Sequence, residues 1–158
     1  MGLKPADLSS DIHESSLLGS WHANLKFINR KKCVVFINDK TLINFIIPDI
    51  PRALIRQLDQ EFSTMLSCVL ADLGYSSEAR EMFLAEYDTL KYGNTNNKSV
   101  LGSLNDVIFH YEYQILSRGG VHSYHVPEII REMNHMPMSA IEETFPDRAL
   151  KKLYENAL

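Results

Sequence analysis

Four groups of residues carry side chains that can do chemistry. The densest is Thr95-Asn96-Asn97-Lys98-Ser99-Val100-Leu101-Gly102-Ser103-Leu104-Asn105-Asp106. Thr95, Asn96, Asn97 and Ser99 are residue types that accept hydrogen bonds from the orphan N–H groups at a helix start. Lys98 would add charge to the positive end of the helix, where an anion or a backbone carbonyl binds well. The phosphate-loop spacing Gly-x4-Gly-Lys-Ser/Thr is absent. The plainer reading is a helix cap, with Gly102 marking a close backbone approach, because a glycine inside a helix costs about 1 kcal/mol relative to alanine. Capping leaves Lys98, Gly102 and Asn105 unexplained.

The second group is His22 and Asn24, which share a strand face with Lys26, opposite Trp21. An imidazole beside an amide can bind a ligand or move a proton. The same pair can equally face solvent or tie an edge strand to a loop. A hydrolase or nuclease reading joins His22 to Asn96, Asn97, Ser99 and Asn105, and requires strand one to meet the start of that helix. No serine or cysteine sits in a nucleophile elbow.

The third group is basic: Arg30, Lys31 and Lys32, with Lys26 and Lys40 in the same meander. It offers phosphate contacts to a nucleic acid, or it solubilises turns and protects strand edges. The fourth is histidine-rich. His122 and His125 are three apart, as are Glu132 and His135, a spacing that shares a face only within a helix. Pro127 and Gly119-Gly120 put the first pair in a loop. Neither His-Glu-x-x-His nor paired Cys-x-x-Cys occurs, so no metal site and no cofactor are expected. Tyr111 and Tyr113 read as core and boundary packing rather than a stacking platform. Glu142-Glu143 and Glu78/Glu81 sit in helix first turns, where the helix dipole accounts for them.

The elements that must position these groups are legible. Trp21, Ala23, Leu25 and Phe27 alternate with polar residues, the period of a half-buried strand. Asn29–Lys32 is a turn, and Cys33-Val34-Val35-Phe36-Ile37 a central strand. Asn38-Asp39-Lys40 is a second turn, and Thr41–Ile47 a third strand ended by Pro48 and Pro51. Short connections imply antiparallel neighbours. Helical periodicity follows over Arg52–Leu73, with Leu54, Ile55, Leu58, Phe62, Met65, Leu66, Val69, Leu70 and Leu73 as its stripe. A second helix is capped by Ser76 or Ser77, with Ala79, Met82, Phe83, Tyr87 and Leu90 apolar. Residues 91–98 form a loop. A third helix runs from about Ser99 to Arg118, burying Val100, Leu101, Leu104, Val107, Ile108, Tyr111, Ile115 and Leu116, and stops at Gly119-Gly120. A short helix follows Pro127. Residues 139–144 and 146–156 close the chain, with Pro146 at a first helical position.

Composition sets the frame. The chain has 158 residues, 45% of them apolar, and a net charge of −4. One domain with a sizeable core is expected, and disorder throughout is not. The acidic balance argues against broad nucleic-acid binding. Cys33 and Cys68 lie in apolar runs, which predicts two buried, reduced thiols. No basic-then-apolar leader opens the sequence and no apolar run reaches the ~18 residues of a membrane span, so a cytoplasmic protein is expected.

Leu18-Gly19-Ser20-Trp21-His22-Ala23-Asn24-Leu25, continuing through Arg30-Lys31, Phe36-Ile37-Asn38 and Thr41-Leu42, resembles the opening of an uncharacterised bacterial family whose members begin with a Trp-His-Ala-Asn strand. Asn96–Asn105 is similar to that family's second motif, with Leu104 where a methionine is common. Asn134 with Pro137-Met138 resembles a third stretch. The resemblance spans residues 18–145. It implies a small standalone bacterial protein and carries no activity, cofactor or catalytic residue with it.

The expected architecture is α+β: a three-stranded antiparallel meander near the N-terminus covered by four to six helices. Residues 1–19 form an irregular arm, with at most a helical turn around Ser10–Leu18, and 20–158 a single domain. The leading functional expectation is a non-catalytic protein-interaction module, with homo-oligomerisation through a free sheet edge as its simplest form. The small hydrolase or nuclease, and nucleic-acid binding through Arg30, Lys31, Lys32 and Lys40, are the alternatives. The candidate binding residues are His22, Asn24, Thr95, Asn97, Lys98, Ser99, Gly102 and Asn105.

Overall fold

A computed structural model describes residues 17–52, 57–87, 90, 93 and 97–158. The predicted turn around Ser10–Leu18, the apolar positions Leu54 and Ile55, and the candidate residues Thr95 and Asn96 lie wholly or mostly outside that set. Strand β1 (Trp21–Ile28), β2 (Lys31–Asn38) and β3 (Asn44–Ile47) form an antiparallel sheet in the order β1-β2-β3. The β1–β2 hairpin turns on Asn29 and Arg30, both with positive φ (49° and 65°). Two such residues match the right-handed twist of the flanking strands.

The third strand begins at Asn44 rather than at the predicted Thr41. The buried Asn38 holds the preceding residues in a turn. Its Oδ1 accepts from the Lys40 and Thr41 backbone N–H groups and from the Thr41 hydroxyl, at 3.2, 3.0 and 2.9 Å. Its Nδ2 donates to the Leu18 carbonyl at 2.9 Å, which fixes the chain leading into β1. β-Branched composition argued for strand here, and an asparagine competing for backbone groups won.

Cross-strand register sorts the side chains into two faces. Trp21 and Ala23 align with Asn38 and Phe36, and Phe36 with Phe45, all on one face. Helix α1 (Leu58–Asp72) covers it with Phe62, whose ring centroid lies 5.0–5.5 Å from those of Phe36, Trp21 and Phe45. His22, Ile37 and Asn44 form a row on the other face. There, helices α3 (Lys98–Ser117) and α4 (Val126–Met133) lie over the sheet, and Tyr111 and Asn134 reach Asn44. Helices thus cover both faces of the meander. That explains why Cys33–Ile37 is an unbroken buried run: a central strand covered on both sides has no solvent face to alternate with.

Helix α2 (Ser77–Leu84) starts on the Ser76 side chain, which accepts from the Ala79 N–H at 3.2 Å. A 3-10 turn, Ala85–Tyr87, then carries Tyr87 into the core. Helix α5 (Pro146–Ala157) begins on Pro146 as predicted, and Tyr154 packs edge-on against Tyr75 at 5.5 Å.

Several packing expectations need correction. Described helix α1 begins at Leu58, not Arg52, and Cys68 is exposed, off the stripe of Leu58, Phe62, Leu66 and Val69, while Cys33 is buried. Phe27, Met82 and Leu116 were predicted to be buried and are 57%, 38% and 49% exposed. Phe27 sits at the hairpin end with the Lys32 ammonium over its ring, at 5.9 Å. Residues 139–144 form turns rather than a helix.

Candidate functional site

His22 lies on β1 under α3 and is 6% exposed. Its Nδ1 is 2.6 Å from Oδ1 of Asp39, in the β2–β3 turn that Asn38 organises. With Nδ1–H donating to the carboxylate, a neutral imidazole would carry its lone pair on Nε2. That Nε2 is buried and has no hydrogen-bond partner among the described residues. A carboxylate orienting an imidazole whose far nitrogen is free is the arrangement of a general base. Burial pushes the Asp39 carboxyl above its ordinary value, and the hydrogen bond from His22 opposes that shift. No described hydroxyl, thiol or amide bonds Nε2. The bond from Nδ1 to Asp39 ties β1 to the β2–β3 turn, the structural role that the sequence also allowed.

Asn24, on the same face, is exposed. Lys26 pairs with Glu112 of α3, Nζ to Oε2 at 3.1 Å.

The polar helix start resolves into a cap and a solvated face. Asn97 is the N-cap residue, and its Oδ1 accepts from the Val100 N–H at 3.2 Å. Lys98, Ser99, Gly102 and Asn105 are all exposed. A Cβ built on Gly102 meets no described atom within 4 Å. The close approach expected at this glycine is therefore not present among the described residues. Neither ring nitrogen of His22 bonds Asn97, Ser99 or Asn105. The structure does not bring these candidates together into one hydrogen-bonded site.

The basic group is divided. Arg30, Lys31 and Lys32 occupy the β1–β2 turn, where Ile28 pairs with Lys31. Lys40 follows Asn38 at the opposite end of β2, a strand length of roughly 23 Å away at ~3.3 Å per residue. There its Nζ donates to the Leu17 carbonyl at 3.3 Å. The histidines are also dispersed. His122 pairs with Asp49 at 2.9 Å, His125 with Glu128 at 3.4 Å, and His135 with Asp147 at 2.7 Å. Among the described residues, no three His, Cys, Asp or Glu side chains gather at one point.

Two features escaped the sequence reading. One is a groove of about 360 Å³ between α3 and residues 136–140, into which Ser103, Asp106 and His110 project. Their spacing puts them on one flank of α3, but the partner segment across the groove has no periodicity to reveal it. The other is the open flank of α3. Phe109, Tyr113 and Leu116 are 70%, 65% and 49% exposed. They lie four and seven residues apart along one side of the helix. Glu112 lies beside them and reaches Lys26 of the edge strand β1.

The two sheet edges are finished differently. On β3, the Asn134 side chain occupies the open side of Asn44: its Oδ1 accepts from the Asn44 N–H and its Nδ2 donates to the Asn44 carbonyl, both at 2.8 Å. On β1, eight residues long, no described segment pairs with the outer side.

These features define a small α+β protein with one sheet between helices, in which Asn134 caps β3 at Asn44 and no described segment pairs with the outer side of β1. By its match to a family model over residues 1–149, the chain belongs to DUF6933, a domain of unknown function. No curated protein and no solved structure matches it. Membership agrees with the uncharacterised family that the sequence resembles, and it brings no activity. No described helix is long and apolar enough to cross a membrane.

Proposed function

We propose that this protein works without catalysis, by docking another protein on the outer side of β1 and the adjoining flank of α3. The observation that supports it most is the contrast between the edges. β3 is capped by an asparagine side chain. Among the described residues β1 has no partner on its outer side, and α3, which packs on β1, carries three large exposed apolar side chains. Unpaired strand edges are templates for pairing, and contiguous exposed apolar surface marks interaction sites. His22 supports the catalytic reading less well, because the pair with Asp39 serves the turn and its free nitrogen has no described reaction partner.

A photo-crosslinking residue placed at Phe109 tests this in the protein's own cells, with one at the exposed Lys151 of α5 as control. Adducts at position 109 that are absent at 151 are the expected result. Equal labelling at both positions, or none at either, overturns the docking surface.

A further inference from the structure

Resting on that docking surface, we propose that its occupant is a second copy of this chain, with the two β1 strands paired antiparallel about a two-fold axis and the two α3 flanks packed together above the seam. Three observations select a copy over a foreign strand.

The first is cover. A lone peptide strand added to β1 would satisfy the edge and leave Phe109 and Leu116 in water. Both side chains share a helix side with Glu112, which reaches over to Lys26 of β1. A two-fold perpendicular to the sheet keeps both α3 helices in the same layer. A copy therefore brings a strand for the strand and an apolar flank for the flank, and closed two-fold dimers are the commonest symmetric assembly.

The second is charge. The ion pair that joins α3 to β1 here is Lys26–Glu112, 3.1 Å apart with the two side chains 41% and 37% exposed. A cation and an anion that already pair within the chain lend this stretch little net sign with which to select a charged partner. It meets its own image without repulsion between like patches.

The third is area. At roughly 150–250 Å² for a whole aromatic side chain, the open fractions of Phe109 and Tyr113, 70% and 65%, leave roughly 200–340 Å² between them. Leu116 and an eight-residue strand edge add to that. Together these supply a substantial share of the roughly 800 Å² per partner of a standard specific interface.

Sedimentation velocity of the purified full chain, with the double variant Phe109→Lys/Leu116→Lys beside it, tests the inference. The wild type is expected as a dimer of the 18.1 kDa chain. The double variant is expected as a monomer with an unchanged far-UV circular dichroism spectrum. If the double variant does not fold, Leu116→Lys alone is expected to weaken self-association at least tenfold. A wild-type dimer that both variants leave intact overturns this seam. A wild-type monomer whose position-109 crosslinks persist to another protein overturns the second copy and leaves the docking surface standing. A monomer without such crosslinks overturns both.

Discussion

Asn134 binds both backbone groups of Asn44, a residue 90 positions earlier in the chain, and so acts as a one-residue strand on the open side of β3. Asn44 is fully buried, and its own side chain is engaged too: Oδ1 accepts from the Tyr111 hydroxyl at 2.7 Å and Nδ2 donates to the Leu42 carbonyl at 3.0 Å. Asn134 adds a bond to the Ile130 carbonyl at 3.0 Å. Three elements, β3, α3 and α4, are joined through one asparagine pair and one tyrosine.

Replacing Asn134 with alanine would orphan a buried N–H and a buried carbonyl on Asn44, each costing about 1–3 kcal/mol. The expected loss is about 3 kcal/mol in chemical denaturation. A loss below about 0.5 kcal/mol, the range of ordinary surface substitutions, would show that water or backbone movement replaces the cap.

Tyr87 joins Trp21 to the chain leading into β1. The indole Nε1 donates to the Tyr87 oxygen at 2.8 Å, and the Tyr87 hydroxyl donates to the Gly19 carbonyl at 2.7 Å. Burial raises the Tyr87 pKa well above the ordinary value, so this hydroxyl stays protonated and able to donate. Tyr87→Phe is expected to cost about 1–3 kcal/mol, because two polar partners lose their bond at once. Trp21 is the sole tryptophan, so its emission reports the same locus directly. An unchanged emission maximum together with unchanged stability would remove the hydroxyl from the structure's account.

Asp39 makes a signed prediction about pH. Its pKa is raised in the folded protein, by burial above all, so folding favours the protonated acid. Its stability contribution is therefore full below the ordinary value of 3.8 and is lost as pH rises through the folded value. Asp39→Asn cannot ionise. The stability difference between wild type and variant should accordingly move in the variant's favour from about pH 3 to about pH 6. Denaturation midpoints at the two pH values check it. A shift in the opposite direction would mean that the bond from His22 outweighs burial.

How much of this was readable in the sequence depends on the range of the interaction. The hairpin, the central strand and the start of α3 follow from neighbours in the chain. Asn97 capping on Val100 is a three-residue matter, and Cys33–Ile37 announces a covered strand by composition. The Asn44–Asn134 pair is not readable that way, because no local pattern links positions 90 residues apart. The His22–Asp39 pair is similar. Both residues were in view, but their meeting depends on the hairpin register and on a turn that Asn38 holds. Leu116 failed for a different reason: its helical spacing fits the buried stripe, and only the limit of what covers α3 leaves it outside.

Gly102 offers the last test, because its sequence reading and its surroundings disagree. A glycine one turn inside a twenty-residue helix suggested something pressed close against the backbone. Beyond its own turns of α3, nothing described lies within 4 Å of where a Cβ would sit, and its φ is not in the left-handed region. Gly102→Ala should therefore stabilise the isolated protein by about 0.5–1 kcal/mol, the usual difference between the two residues in an exposed helix. Thermal unfolding of the purified protein reads this directly. The informative alternative is a stabilised protein that loses its position-109 crosslinks. In that event a docked partner reaches this bare turn of α3, and the glycine serves the contact rather than the fold. A destabilised variant would show instead that some other part of the chain packs against Gly102 in solution.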